Sequence, residues 1–315
     1  MLNRTSMLCC VLFSVALSAA VQNSPVSGDF AGLVKITDSG RRLYLQCSGT
    51  GSPTVLLEAG LRVRSDYWSY NTAKPPEESV FPGIAKFTHV CAYDRPGTVI
   101  GATAKDWSRS DPVPMPRSAL SVVDDLNALV RAARLPLPLV LAGHSMGGLF
   151  VRMYALKFPE DVDGMVFVDA LPDGLRQNMT TAQYTLFVHL NTEIPSSLDL
   201  YKSEYETIPF AQAFDELRKL QSTGSLKPMP LVVLSRGLPE PIPAEDVPAG
   251  FSEALEKAWR MQQDALAKLE PGAQQIIATK SDHYIMLRQP RLVIRAVRDV
   301  VDAVHAGQNH VSPHE

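Results

Sequence analysis

The stretch VLAGHSMGGLF, residues 140–150, constrains the fold of this chain more than any other. A buried-strand pattern runs directly into a serine flanked by glycines, and a helical pattern follows until Pro159. A strand that turns at once into a helix forces the residue at the bend, Ser145, into a strained backbone conformation. Gly143 and Gly147 let the chain pass close to itself there. We therefore predict a sharp strand–turn–helix unit with Ser145 at its apex.

Short β-type runs alternate with helical patterns along most of the chain. The alternation predicts crossover connections and a mostly parallel sheet, and continuously apolar runs such as MVFV fit a sheet covered on both faces. LVKIT and RLYLQC, separated by a turn signal, predict a preceding hairpin. The other predicted strands are TVLLEAG (54–60), THVCAYD (88–94), PLVLAGH (138–144), GMVFVDA (164–170), PLVVLSRG (230–237) and QQIIATK (274–280), with helices over 118–134 and from Pro290.

Residues 171–228 interrupt this alternation and are too long for a simple connection. Their second half, DLYKSEYETIPFAQAFDELRKLQ, has a helical and partly amphipathic pattern. We predict a helical cap insertion over one end of the sheet. The α/β core is then built from residues 30–170 and 229–306, and residues 307–315 form a tail.

The first residues, MLNRTSMLCCVLFSVALSAA, have the pattern of a secretory signal peptide over 1–20. An early arginine precedes a short apolar run, and small residues follow it. Cleavage predicts a secreted or periplasmic protein without a stable membrane span, and an uncleaved anchor is the alternative. The net charge of -3 and the lack of a long basic run argue against nucleic acid as a partner.

Cleavage would leave two cysteines, Cys47 and Cys91, both in predicted strands. Export and an even count favour a structural disulfide between them, and two buried free thiols are the alternative. No zinc-binding spacing is present, so we expect no metal site.

The pattern around the serine, G-x-S-x-G, is that of a nucleophile elbow, and a glycine-rich structural turn is the alternative interpretation. The bend would lift the Ser145 hydroxyl above the sheet edge. The N–H of Met146, at the start of the following helix, can then donate to a developing oxyanion. A serine hydroxyl needs a base to take its proton, and His283, between the last strand and the last helix, is best placed for this.

A carboxylate should orient the imidazole of His283 and stabilise its charged form. The sequence offers Asp169, at the end of the strand GMVFVD, and Glu240, in a proline-rich loop after the next strand. Asp173 is a weaker third choice.

The motifs LEAG (57–60), AYDRPG (92–97), GHSMGG (143–148), FVDA (167–170) and SDHYIMLRQP (281–290) together resemble those of α/β-hydrolase-fold enzymes, and the resemblance covers nearly all of the chain after residue 30. In most members the acid follows the strand that corresponds to PLVVLSRG. In some, such as haloalkane dehalogenases and zearalenone-lactone hydrolases, it follows the preceding strand, as Asp169 does here. The resemblance therefore favours Asp169 over Glu240.

The resemblance also implies that the second oxyanion donor follows LEAG, which points to the N–H of Leu61. The glycine-rich run common at this position is replaced here by Leu61-Arg62-Val63-Arg64. Arg62 and Arg64 either bind an anionic substrate group or pair with acids, and Arg95 is expected to tie loops together near the site.

Together these features predict a serine hydrolase that cleaves carboxylic esters through a Ser145–His283–Asp169 triad and an acyl-enzyme, with no cofactor. The expected partner is a small apolar ester. Alternatives on the same fold are amide or peptide, lactone or carbon–carbon hydrolysis, or a non-catalytic ligand-binding protein. Apolar residues of the cap insertion either wall the pocket or form its own small core: Tyr184, Leu186, Phe187, Leu190 and Phe210.

Overall fold

The structure, a computed structural model, describes residues 26–101, 106–194, 198, 201–243 and 247–312. The predicted signal peptide (1–20) and the last residues of the tail lie outside the described residues. Within these ranges no helix is both long and apolar enough to cross a membrane.

The described part of the chain forms an eight-stranded sheet in the order β1-β2-β4-β3-β5-β6-β7-β8. β1 and β2 form the predicted antiparallel hairpin, β2 also pairs antiparallel with β4, and all other neighbours are parallel. The strands are β1 (Phe30–Lys35), β2 (Arg42–Ser48), β3 (Thr54–Glu58), β4 (Val90–Tyr93), β5 (Leu139–His144), β6 (Val162–Val168), β7 (Leu231–Arg236) and β8 (Gln274–Ala278). The predicted mostly parallel α/β sheet is therefore confirmed.

Helices connect the strands and cover both faces of the sheet. They are α1 (Val80–Ala85), α2 (Ala119–Ala132), α3 (Met146–Lys157), α4 (Thr181–Thr192), α5 (Phe210–Thr223), α6 (Phe251–Leu266), α7 (Ile285–Arg288) and α8 (Pro290–His305). Short 3-10 turns occupy Ser65–Ser69, Pro159–Asp161 and Leu175–Gln177. α1 and α8 pack together on one face, and α2 and α3 pack together on the other.

Both faces of the central strands are buried, which explains why these strands are continuously apolar. In β3 every residue is buried. Val55 and Leu57 belong to the core under α1 and α8, whereas Leu56 belongs to the core under α2 and α3. Successive side chains of a strand point to opposite faces, so a strand covered on both sides must be apolar at each position.

Two helices, α4 and α5, lie within residues 171–228, where the sequence predicts a helical insertion. A further helix, α6, lies between β7 and β8 and was not predicted. Its buried face, with Leu255, Ala258, Trp259 and Leu266, has helical spacing that the sequence displays. This helix contributes directly to the site described below.

Cys47 of β2 and Cys91 of β4 are paired residues in adjacent antiparallel strands and form a disulfide. The predicted disulfide is thus present, and the alternative of two free thiols is wrong. His89 lies beside them, and potential ligand atoms of the three residues lie within 4.8 Å of one another. Both sulfurs are bonded to each other, so neither is available as a thiolate ligand for a metal.

Candidate active site

Ser145 occupies the sharp bend between β5 and α3, in a conformation (φ 52°, ψ -124°) that is rare for a residue with a side chain. The flanking glycines explain how the chain tolerates it. An added Cβ at Gly143 would lie 2.6 Å from the carbonyl oxygen of Gly147, and one at Gly147 would lie 2.5 Å from the carbonyl oxygens of Glu58 and Ala59. The bend therefore needs glycine at both positions because backbone atoms approach them too closely for any side chain.

His283 lies on the loop between β8 and α7, and Asp169 is the residue directly after β6. The His283 Nδ1–H donates to Asp169 Oδ2 at 2.6 Å. The Asp169 carboxylate is fully buried, whereas 14 % of the His283 side chain is exposed. His283 and Ser145 line the same cavity. The fold thus brings together the three residues that the sequence predicts as nucleophile, base and acid.

The Asp169 carboxylate has three further hydrogen-bond donors. Its Oδ1 accepts from the Arg236 backbone N–H at 3.1 Å and from Trp259 Nε1 at 3.0 Å, and its Oδ2 accepts from Arg236 Nη1 at 3.0 Å. Burial alone would raise the pKa of this carboxyl, but the His283 hydrogen bond and the Arg236 charge hold the pKa below its usual value. Asp169 is therefore held ionised and in a fixed orientation.

Arg236 and Trp259 were missed by the sequence analysis. Arg236 ends β7, the strand next to Asp169, and is itself paired with Glu256 of α6 at 2.7 Å. An arginine at the end of an otherwise apolar strand, LVVLSR, was the available signal for a buried ion pair. The signal from Trp259 was its place on the apolar face of α6.

His144, beside the nucleophile in the elbow, holds the backbone that carries His283. Its Nε2–H donates to the His283 carbonyl oxygen at 3.0 Å, and its ring lies 4.6 Å from the His283 ring between centroids. Burial, with a smaller contribution from His283, lowers the pKa of His144 to about 3. His144 therefore stays neutral over the ordinary pH range.

The two other acids considered from the sequence lie in different surroundings. Glu240 lines the cavity, but its Oε2 is buried without a hydrogen-bond partner and lies 4.0 Å from Arg236 Nη1. Burial raises the pKa of Glu240, so the ionised form is disfavoured. Asp173 is paired with Arg152 at 2.8 Å. The His283 Nδ1–H bonds to Asp169 and to neither of these.

Backbone amides at two places border Ser145. Met146 is the first residue of α3, so its N–H has no partner within the helix. The loop after β3 also passes close to the elbow, since an added Cβ at Gly60 would lie 3.3 Å from the Ser145 Cβ. Leu61, the next residue, lines the cavity. Both predicted oxyanion donors thus border the cavity that contains Ser145.

The arginines near this loop bond to oxygens of the protein itself and do not form an open binding site for an anion. Arg62 donates from its guanidinium to three backbone carbonyl oxygens, and Arg64 pairs with Asp66 at 2.5 Å. Arg95 is 2 % exposed and donates to the carbonyl oxygens of Ala59 and Gly60 at 2.8 and 2.6 Å. The position of Arg95 agrees with its expected role in tying loops together.

The cavity above Ser145 has a volume of about 350 Å³. Three of the cap residues noted in the sequence, Phe187, Leu190 and Phe210, line it, and Tyr184 and Leu186 pack against the core instead. Further apolar lining comes from Leu171, Ile242, Phe251, Leu255 and Trp259. Polar groups share the lining with these apolar side chains, among them Arg62, Asn191 and Glu240. A concave site that combines apolar walls with convergent polar groups is typical of small-molecule binding.

An eight-stranded, mostly parallel sheet with a serine on a strained strand–helix turn defines the α/β-hydrolase class. A profile of the alpha/beta hydrolase family matches residues 54–296, and the chain belongs to that family. Membership of this family supports a hydrolase activity.

The chain is also similar to a curated relative and to solved structures of the same fold. The chain is 27% identical over 293 residues to an uncharacterized protein of Schizosaccharomyces pombe. The aligned region includes 81% of this chain and 52% of the relative, so the chain spans about half of that relative's length. A putative lipase from Acinetobacter baumannii has a TM-score of 0.54 at 18% identity, covering 89% of this chain and 93% of that one. An esterase from Thermogutta terrifontis has a TM-score of 0.51 at 17% identity, covering 88% and 99%. At such low identity the two structures establish the fold alone.

Proposed function

We propose that this hydrolase is a serine esterase that cleaves carboxylic esters through an acyl-enzyme, with Ser145 as nucleophile, His283 as base and Asp169 as the orienting acid. The observation that carries the proposal is the 2.6 Å hydrogen bond from His283 Nδ1–H to the buried Asp169 carboxylate, with Ser145 in the same cavity. This bond leaves the imidazole Nε2 free of its proton and able to accept one from a serine hydroxyl.

In the proposed mechanism the Ser145 Oγ attacks the ester carbonyl carbon while its proton passes to His283 Nε2. The carbonyl oxygen becomes an oxyanion that accepts from the N–H groups of Met146 and Leu61, and loss of one such donor typically costs about 3 kcal/mol. The leaving alcohol takes the proton from His283 as the carbon–oxygen bond breaks. Water then attacks the acyl-enzyme by the same route and releases the acid and free Ser145.

The cavity lining supports an apolar substrate. Phe187, Leu190 and Phe210 from the cap line the same cavity as Ser145, together with Trp259 and Leu255 of α6. Arg62 and Arg64 use their guanidinium groups on protein oxygens, which weighs against an anionic substrate group at this loop. A small or medium apolar acyl chain therefore fits the site best.

A chain-length series of nitrophenyl esters, from acetate to palmitate, tests the proposal, with Ser145→Ala as the matched control. We expect turnover by the native protein and loss of that turnover in the variant. The acyl chain length that is cleaved fastest should report the size of the part of the cavity that holds the acyl group. No turnover of any ester by the folded protein would refute the esterase proposal and redirect attention to amides, lactones or carbon–carbon substrates.

We also propose that the chain is exported, with residues 1–20 removed as a signal peptide. The Cys47–Cys91 disulfide supports this, because disulfides persist mainly in oxidising compartments. Fractionation of expressing cells with sequencing of the mature N-terminus tests it. Protein retained in the cytosol with an intact N-terminus would refute it.

A further inference from the structure

The loop that carries the proposed second oxyanion donor, residues 60–62 (here the oxyanion loop), contains a strained residue. Arg62 has a φ of 64°, in the left-handed region that costs a residue with a side chain about 1 kcal/mol or more. Such a conformation persists only where surrounding contacts fix it. The Leu61 N–H shares a planar peptide with the Gly60 carbonyl, so its direction depends on the contacts that hold this carbonyl and on the conformation of the loop up to Arg62.

Two contacts fix the Arg62 backbone: its carbonyl oxygen accepts from the Val99 N–H at 2.8 Å, and its own N–H is held from the cap insertion. Glu206 is 1 % exposed, and its Oε2 accepts from the Arg62 backbone N–H at 2.5 Å. The Glu206 carbonyl oxygen also accepts from Arg62 Nε at 3.1 Å. Glu206 lies far from the oxyanion loop in sequence, so cap and loop meet only in the folded protein.

The same carboxylate orients a second group that holds the loop. Glu206 Oε1 accepts from Arg95 Nε at 2.6 Å, and its Oε2 accepts from Arg95 Nη2 at 2.9 Å. Arg95 in turn donates to the carbonyl oxygens of Ala59 and Gly60 and pairs with the buried Glu58. The Gly60 carbonyl is therefore fixed from one side by an arginine whose orientation depends on Glu206.

The side chain of Arg62 completes the connection to the cap. Its Nη1 and Nη2 donate to the carbonyl oxygens of Glu193 and Thr192, at 2.8 and 2.9 Å, at the end of α4. α4 also supplies Phe187 and Leu190 to the cavity wall. Arg62 thus connects the oxyanion loop to the cap helix that contributes to the cavity wall.

We propose that Glu206 is a positioning residue that holds the oxyanion loop from the cap and keeps the Leu61 N–H directed at the oxyanion. This inference rests on the proposed esterase function. It assigns the cap a part in transition-state stabilisation in addition to forming the cavity wall.

Replacement of Glu206 by glutamine tests the inference with little change of shape. Both carboxylate oxygens accept hydrogen bonds, from Arg95 and from the Arg62 N–H, whereas an amide has one accepting oxygen. The amide nitrogen must then face a donor, so either Arg95 or the loop loses its partner. Glu206→Asp keeps the charge and both acceptors and serves as the conservative variant.

Glu216→Gln is the matched control. Glu216 also lies in the cap insertion, on α5, and its Oε2 accepts from a core backbone N–H, that of Leu120, at 2.9 Å. It therefore anchors the cap to the core without contacting the oxyanion loop. An effect of general cap loosening should appear equally in both glutamine variants.

Three measurements distinguish positioning from a structural role. We expect Glu206→Gln to lower kcat for the preferred ester by about 10- to 100-fold with KM within about threefold, because the oxyanion forms only after attack. Affinity for an alkylboronic acid should fall in parallel. Its boron accepts the Ser145 Oγ, the hydroxyl proton passes to His283, and the tetrahedral adduct carries the negative charge that the loop stabilises. Hydrogen exchange should rise in the peptide covering residues 59–64.

Recovery of part of the lost kcat in Glu206→Asp, and native kcat in Glu216→Gln, would support the inference. Equal losses in the two glutamine variants, or unchanged exchange over residues 59–64, would overturn it. The exchange measurement needs no substrate and remains decisive if a variant is inactive or less stable. Failure of the esterase proposal is separately visible as a lack of ester turnover by the native protein.

Discussion

Replacement of Asp169 by asparagine gives the sharpest test of the proposed triad. The carboxylate has two accepting oxygens, with two donors to each. An asparagine that keeps its carbonyl oxygen toward Trp259 and the Arg236 N–H places its amide NH₂ where Oδ2 was. Two donors would then face each other at His283 Nδ1. The imidazole relieves this conflict by moving its proton to Nε2, where it can no longer accept the Ser145 proton.

The wrong tautomer typically lowers kcat by about 10⁴-fold in a serine triad, which corresponds to about 5 kcal/mol of transition-state stabilisation. The cost in stability should be smaller, about 1–3 kcal/mol for a buried group left unsatisfied, because Arg236 keeps Glu256 as a partner at 2.7 Å. The Asp169→Asn variant should therefore fold and bind substrate but turn it over very slowly.

Glu240→Gln is the matched control, because Glu240 is the rival acid and lines the same cavity. We expect its kcat to remain within about tenfold of the native value, since the His283 Nδ1–H bonds to Asp169. The assay is kcat on the preferred nitrophenyl ester from pH 6 to 9, with thermal melting to verify folding. Near-native kcat in Asp169→Asn together with a loss of about 10³-fold or more in Glu240→Gln would refute the assignment of Asp169.

Three further predictions concern stability and are measured by urea denaturation. Replacement of both Cys47 and Cys91 by alanine should lower the free energy of unfolding by about 3–4 kcal/mol, because the disulfide closes a loop between residues that are 44 positions apart. An unchanged urea midpoint would contradict this. The pKa of His144 is lowered to about 3 in the folded protein. Its contribution to stability is therefore complete above about pH 6.5 and is lost as the pH falls toward 3, because the unfolded chain binds the proton more tightly. Between pH 7 and pH 5 the free energy of unfolding should fall by about 2 kcal/mol more in the native protein than in His144→Asn. Equal decreases in the two proteins would contradict the lowered pKa of His144. Gly147→Ala, whose Cβ would lie 2.5 Å from two carbonyl oxygens, should destabilise the fold by about 1–3 kcal/mol. Gly224→Ala should not, because its Cβ would lie 4.0 Å from the Leu220 carbonyl oxygen, at ordinary contact distance.

Local patterns in the sequence were sufficient to predict much of the fold. The apolar runs of the parallel strands, the hairpin β1–β2 and the glycines around Ser145 each follow from short-range sterics and burial. α6 was missed although the apolar residues of FSEALEKAWRMQQDAL have helical spacing and alternate with charges as in an amphipathic helix. Its contribution to the site, through Trp259, was therefore missed as well.

The sequence by itself determined that a serine occupies a strained strand–helix turn and that a histidine follows the last strand, since both depend on neighbouring residues. Only the tertiary structure decided that Asp169, and not Glu240, bonds to His283, because that choice depends on where two strand ends lie across the sheet. It likewise revealed the buried contacts of Arg236 and Glu206. Their carboxylate and guanidinium partners are distant in sequence, and a buried charge is stable only where the fold places its partner within hydrogen-bonding distance.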